Sequence, residues 1–260
     1  MSKKPTVLIT GASVGIGAMY ADRFAKRGHD LVLVARNDAR MKELAAKLKS
    51  ESGVDVEVIK ADLANVSELK QVEDRLRNDS RIGVLINNAG TAIPGTFLEQ
   101  TPDVVASLVD LNTTAVARLA AAVAPRFSQD GAGAIVNIAS VVALAPEMGM
   151  SVYGATKAFV LYLSLALDLE LRPKGVYVQA VLPAATRTEI WTHVGRDVDT
   201  VSGVMNVDEL VDAALVGFDR RETVTIPPLP DDAQWDAYEA ARQAMLPNFA
   251  QTHAAARYHD

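Results

Sequence analysis

Tyr153 and Lys157 stand four residues apart, the spacing that puts two side chains on one face of a helix. An ammonium beside a phenol stabilises phenolate and lowers the tyrosine pKa from about 10. The pair can therefore give or take a proton in a carbonyl–alcohol interconversion, a step worth about 10²–10⁴ in rate. Alone, the spacing is common and carries no function. Ser140 adds weight to it, because it follows the apolar run Ala134–Ala139 and precedes Tyr153 by thirteen residues. That length lets a loop return to the same cleft, where the hydroxyl could hydrogen-bond a substrate oxygen as charge develops there.

A second group of residues suits phosphate. The apolar run Thr6–Thr10 leads into Gly11-Ala12-Ser13-Val14-Gly15-Ile16-Gly17 and then a helical pattern. Glycines at such a turn let backbone N–H groups approach a pyrophosphate at the helix N-terminus. Gly11 and Gly15 are separated by three residues, wider than the usual dinucleotide fingerprint, and a ligand-free strand-to-helix turn is the plain alternative. About twenty residues on, where an acidic residue would accept ribose hydroxyls, the chain has Val34-Ala35-Arg36-Asn37. Arg36 can pair with a 2′-phosphate, with Arg40 one helical turn on, so NADP(H) is expected over NAD(H).

The elements that must position these groups alternate. Short strand-like runs lie at 6–10, 31–35, 54–59, 84–87, 134–139, 176–182 and 223–226, with helical patterns at 17–27, 38–50, 66–77, 102–127 and 152–171 between them. Several strands are unbroken apolar runs, as when both sheet faces are covered. The pattern predicts a single-domain α/β fold of the Rossmann type: a doubly wound parallel sheet of about seven strands with helices on both faces. Thr101-Pro102 reads as a helix N-cap, Asn206 and Glu209 as a capping box, and Gly28 and Gly175 as helix stops. The catalytic domain spans 1–226, with a substrate segment at about 186–205. Pro227-Pro228-Leu229-Pro230 then introduces residues 227–260, read as an extension of the same domain.

Composition narrows the function. The chain has 260 residues, 49% of them hydrophobic, and a net charge of -6, with no basic cluster of the kind nucleic-acid binding requires. The absence of cysteine excludes disulfides, thiolate zinc and cysteine nucleophiles, and no metal site is expected. Neither a signal peptide nor a membrane span is expected, and 132–146 is too interrupted to be one. The expected setting is cytoplasmic.

In order along the chain stand Thr10-Gly11-x-x-x-Gly15-x-Gly17, Asp62-Leu63, Asn87-Asn88-Ala89-Gly90, Asn112, Ser140 and Tyr153-x-x-x-Lys157. With this ordered set, the sequence over residues 5–226 resembles the short-chain dehydrogenase/reductase family in its short, single-domain branch. The resemblance implies that Tyr153 is the proton donor or acceptor, that Lys157 tunes it and holds the nicotinamide ribose, and that Ser140 orients the substrate carbonyl. It implies that Asn112 holds a water linking Lys157 to solvent. It further implies that Asp62 and Leu63 face the adenine, that Asn88, Ala89 and Gly90 border the adenosine, and that Pro183 and Thr188 lie near the nicotinamide. Two positions depart from the pattern: Pro183 is followed by Ala184 where the family often has glycine, and Val14 stands where some NADP users carry a basic residue.

Leu144, Met148 and Met150 after Ser140, and Ile190, Trp191 and Met205 after Pro183, suggest either an adaptable apolar pocket for a small carbonyl or alcohol substrate, or core closed beneath a lid. The 152–171 helix is apolar nearly all round, more than packing on one sheet needs. It suggests a homodimer or homotetramer of the kind the resembled family forms. A non-catalytic NADP(H)-binding sensor or scaffold is the alternative reading. A nucleotide-sugar epimerase is a minor one, since no second lobe is present.

Overall fold

The computed structural model describes residues 4–193, 195 and 197–259. Within the 186–205 segment, residues 194 and 196 lie outside the described ones, as does Asp260 at the end of the tail. The chain divides into two compact units, Met1–Pro227 and Pro228–Asp260, with the boundary inside the proline run.

The first unit holds seven strands: β1 (Thr6–Thr10), β2 (Leu31–Ala35), β3 (Val56–Lys60), β4 (Ile82–Asn87), β5 (Gly133–Ile138), β6 (Val176–Val181) and β7 (Val224–Thr225). All pair in parallel, in the order β3-β2-β1-β4-β5-β6-β7. The helices are α1 (Gly15–Lys26), α2 (Asp38–Ser52), α3 (Val66–Asn78), α4 (Pro102–Val109), α5 (Ala115–Asp130), α6 (Ser151–Leu171), α7 (Ile190–His193) and α8 (Val207–Asp219). From β1 the chain builds outward to β3, then crosses back to β4 on the other side. This makes β1 and β4 a switch point, beyond whose carboxyl ends such folds open a crevice.

The core explains the unbroken apolar strands. In β1, Val7 and Ile9 join a buried cluster with Tyr20 and Phe24 of α1, whereas Leu8 joins the opposite cluster with Leu69, Val72 and Leu76 of α3. Alternate side chains thus enter two cores, one on each face. Asparagine side chains cap two of the helices: Asn37 accepts from the Arg40 N–H, and Asn65 from Ser67 and Glu68. Thr101 caps α4 with Pro102 in its first turn.

Two local expectations are corrected. Asn206 sits at the N-cap of α8 but makes no side-chain cap bond, so the box with Glu209 does not form; a capping box forms instead between Thr96 and Glu99. The helix expected over 102–127 is interrupted by a wider π turn, Asp110–Thr114, between α4 and α5. In length and composition the helical runs Pro102–Asp130 and Ser151–Lys174 could cross a bilayer. Both runs send side chains into the sheet core, Leu119, Val123 and Phe127 from α5 and Leu171 from α6, as core helices do.

The second unit contains α9 (Ala233–Ala244), where the Trp235 and Tyr238 rings stack at 5.4 Å, followed by short 3-10 turns at Leu246–Ala250 and Ala256–Tyr258. No residue from 228 to 259 is buried.

Gly175 closes the turn after α6 with φ +79, and a Cβ there would lie 2.3 Å from the Gly131 backbone oxygen. Neither the left-handed backbone nor a fixed carbonyl yields to a methyl group, so Gly175→Ala costs about 1–3 kcal/mol. Thermal unfolding should show Tm lowered by roughly 3–10 °C; an unchanged Tm would mean that the turn can reshape freely.

Candidate active site

The glycine turn is built by close approach. Gly11 and Gly15 adopt φ +64 and +56, a region that costs a glycine little. A Cβ on Gly11 would lie 2.8 Å from Asn88 Nδ2, and one on Gly17 would lie 2.4 Å from the Gly11 oxygen. Into that space Asn88 donates its amide to the Thr10 and Gly11 carbonyls at 2.9 and 3.2 Å, while the Thr10 hydroxyl accepts from the Asn88 and Ala89 N–H groups at 3.0 Å. The end of β4 is thereby clamped to the end of β1. Val14, at the N-cap of α1, provides no side-chain cap, and the first turn has no acidic residue. These N–H groups can receive a phosphate.

One cavity of about 790 Å³ runs along the carboxyl ends of the strands. Of the sequence-derived site residues, Gly11, Ser13, Gly15, Ile16, Arg36, Asn37, Asp62, Leu63, Asn88, Ala89, Gly90, Ser140, Tyr153, Lys157, Pro183 and Thr188 all line it. Gly17 and Asn112 do not: Gly17 packs α1 against the turn, and Asn112 is buried behind the wall. Arg36 is exposed at the end of β2, and its side chain has no partner among the described residues. The Asn37 side chain is used in capping α2. Asp62 caps the following turn by accepting from Ala64 N–H at 3.0 Å. The Thr188 methyl faces Gly15, 3.3 Å from where a Cβ would stand.

At the other end of the cavity, Tyr153 and Lys157 share a face of α6. Lys157 is buried, donates to the Ile138 carbonyl at 2.8 Å, and sits 5.6 Å from the Tyr153 ring centre. Gly154 lets the turn after Ser140 rest on α6, with the Val142 oxygen 3.3 Å from a would-be Cβ. Ser140 donates to the Pro183 carbonyl at 3.2 Å, tying the β5 end to the β6 end. Asn112, carried by the π turn, donates to the Thr91 carbonyl and the Thr156 hydroxyl at 2.9 and 3.1 Å and accepts from Thr91 N–H at 3.0 Å. Its amide therefore joins the segment after β4 to α6.

Burial governs the titration of the pair. It pushes the Tyr153 phenol up to about 12, against the opposing effect of a hydrogen bond with the Ser140 hydroxyl. It also pushes the Lys157 ammonium down from 10.5 to about 8. The sequence expectation that the cation lowers the phenol is thus reversed in the protein alone, because one low-dielectric wall disfavours both charges. At neutral pH the phenol holds its proton and is an acid, ready to donate.

Sequence reasoning missed Glu189, Thr91 and Thr156. Glu189 pairs with Arg40, 149 residues away, and Thr91 and Thr156 act through Asn112; no local pattern announces such contacts.

The Lys157 ammonium is a burden on the fold. Between about pH 8 and 10.5 the unfolded chain holds a proton that the folded one has released, so wild-type stability rises with pH across that window. Lys157→Met keeps the stem and removes the charge. Its Tm should exceed wild type at pH 7, with the gap closing towards pH 10; a lower Tm at pH 7 would mean that the bond to Ile138 outweighs burial.

A family model described as short chain dehydrogenase matches residues 5–199. Among solved structures, the chain is similar to a short-chain dehydrogenase from Sphingobium yanoikuyae in complex with NADPH. The identity is 66% and the TM-score 0.97, over 98% of this chain and 99% of that one. It is also similar to the bulky-bulky ketone specific alcohol dehydrogenase from Comamonas testosteroni, at 57% identity and TM-score 0.93 over 100% of both chains. Among curated proteins it is 34% identical over 188 residues to very-long-chain 3-oxoacyl-CoA reductase-B of Danio rerio, covering 70% of this chain and 60% of that protein. To 17-beta-hydroxysteroid dehydrogenase type 3 of Homo sapiens it is 32% identical over 213 residues, 81% of this chain and 68% of that protein. The chain thus spans about three fifths of the length of the first of these curated relatives. The matched segment carries the glycine turn, Ser140, Tyr153 and Lys157 to one cleft, and the chain belongs to the short chain dehydrogenase family.

Proposed function

We propose that the chain is an NADPH-dependent reductase of ketones bearing bulky apolar substituents. The observation that carries this reading is the convergence of Ser140, Tyr153 and Lys157 at one end of a cavity whose other end holds Arg36, unpartnered among the described residues. The uncapped start of α1 and the Cβ-free turn suit a pyrophosphate, and Arg36 suits a 2′-phosphate. The similar Sphingobium dehydrogenase is in complex with NADPH, which supports the same cofactor here.

NADPH, when bound, supplies a hydride to the carbonyl carbon. Ser140 orients the carbonyl oxygen, and Tyr153 transfers its phenolic proton to that oxygen as negative charge develops on it. Lys157 steadies the phenolate that remains, and a relay water near Asn112 is assigned to restore its proton. A phenol held at about 12 is protonated at neutral pH and can serve as the acid in the reduction. Alcohol oxidation needs phenolate and should quicken with rising pH. Val142, Met148, Met150, Ile190 and Trp191 line the substrate end and suit large apolar groups, in accord with the named substrate class of the Comamonas relative.

We further propose that copies of the chain associate through α6, where Phe159, Tyr162 and Leu169 are 42%, 76% and 77% exposed. Apolar side chains of this size on one helix favour burial against a second copy. Light scattering should give the mass of a dimer or larger, and a monomer would return these residues to solvent.

Tyr153→Phe removes the proton and little volume. With NADPH and a ketone carrying two bulky groups, kcat should fall by about 10²–10⁴, while NADPH binding followed by nicotinamide fluorescence stays near wild type. Turnover at the wild-type rate would remove the phenol from the reaction.

A further inference from the structure

Arg40 stands on the cleft wall formed by the start of α2, and Glu189 stands on the wall formed by the segment after β6. The two meet: one terminal guanidinium nitrogen of Arg40 lies 2.9 and 2.8 Å from the two carboxylate oxygens of Glu189. The other side-chain N–H groups of Arg40 have no partner among the described residues, and Arg40 lines the same cavity as Arg36. Glu189 belongs to a wall with fixed footings. Thr188 packs against the glycine turn, Trp191 donates to the Thr186 carbonyl at 2.7 Å, and Thr186 and Met205 form a bridge whose N–H groups at Arg187 and Met205 are both bonded across it. The base of the segment is therefore pinned by backbone bonds, and among the described residues the Arg40–Glu189 pair ties Glu189 to the start of α2.

We propose that the Arg40–Glu189 pair is a strap across the dinucleotide cleft that slows the escape of bound NADPH, by holding Thr188–Trp191 against the β2–α2 wall. This rests on the NADPH reading given above. Both side chains are half exposed, so the strap is weak, worth about two- to fivefold in a rate. That strength suits a site from which cofactor must leave after every turnover. Sign separates the strap from a simpler electrostatic effect. Glu189 is also an anion near a phosphate site, and if it acted only through its charge, neutralising it would slow NADPH release. As half of a strap, neutralising it must hasten release.

The test is a stopped-flow chase, in which protein loaded with NADPH is mixed with excess NADP⁺ and the loss of nicotinamide fluorescence is followed. Glu189→Gln should release NADPH about two to five times faster than wild type, and in an Arg40→Gln background the same change should add nothing. Slower or unchanged release from Glu189→Gln, or equal acceleration without Arg40, would overturn the strap. A wild-type protein that binds no NADPH would instead overturn the cofactor reading beneath it.

Discussion

The site depends on one constraint: the first turn must pass against the end of β4 with no side chain between them. Cβ atoms at Gly11 and Gly17 would stand 2.8 and 2.5 Å from the Asn88 amide nitrogen, and the space they leave lets that amide close two carbonyls of the β1 end. From this contact follow the aim of α1's free N–H groups into the cleft, the opening of the cleft at the β1–β4 switch point, and the placement of Ala89 and Gly90 along its floor. Gly90 in turn runs close to Asn112 and Lys157, with 3.2 and 3.5 Å to a would-be Cβ. A single chain of close backbone approaches thus links the phosphate end of the cleft to the chemical end.

Electrostatics acts within that frame. Lys157 is buried for its reach to the cleft, at the expense of an ammonium held near 8, and Tyr153 is half-buried beside it with its proton retained. In the reading proposed above, that retained proton is the one donated to a carbonyl oxygen. The arrangement costs stability, as active sites commonly do, and the two covered faces of the sheet carry that cost.

Much of this was legible in the sequence, for identifiable reasons. All seven strands lie within two residues of their expected starts and ends, because unbroken β-branched runs between helical patterns have few other solutions. The glycine turn, Arg36, Ser140, Tyr153 and Lys157 reach one cavity because each sits at a strand end or in the first turns of a helix. What was not legible depends on distance or on burial. The π turn at Asp110–Thr114 widens one turn inside a longer helical run, which a reading at constant helical period does not register. The Asn112 contacts with Thr91 and Thr156, and the Arg40–Glu189 pair, join residues remote in sequence. The direction of the tyrosine pKa follows from how deeply the phenol is enclosed, which spacing on a helix does not express.

The most direct measurement is a fluorescence titration of nucleotide-stripped protein with NADPH and, in parallel, with NADH. Tight NADPH binding with NADH at least tenfold weaker is the result that a 2′-phosphate read by Arg36 above a phosphate-binding turn requires. Equal affinity for the two would contradict the role of Arg36, and binding of neither would contradict the account of the cleft.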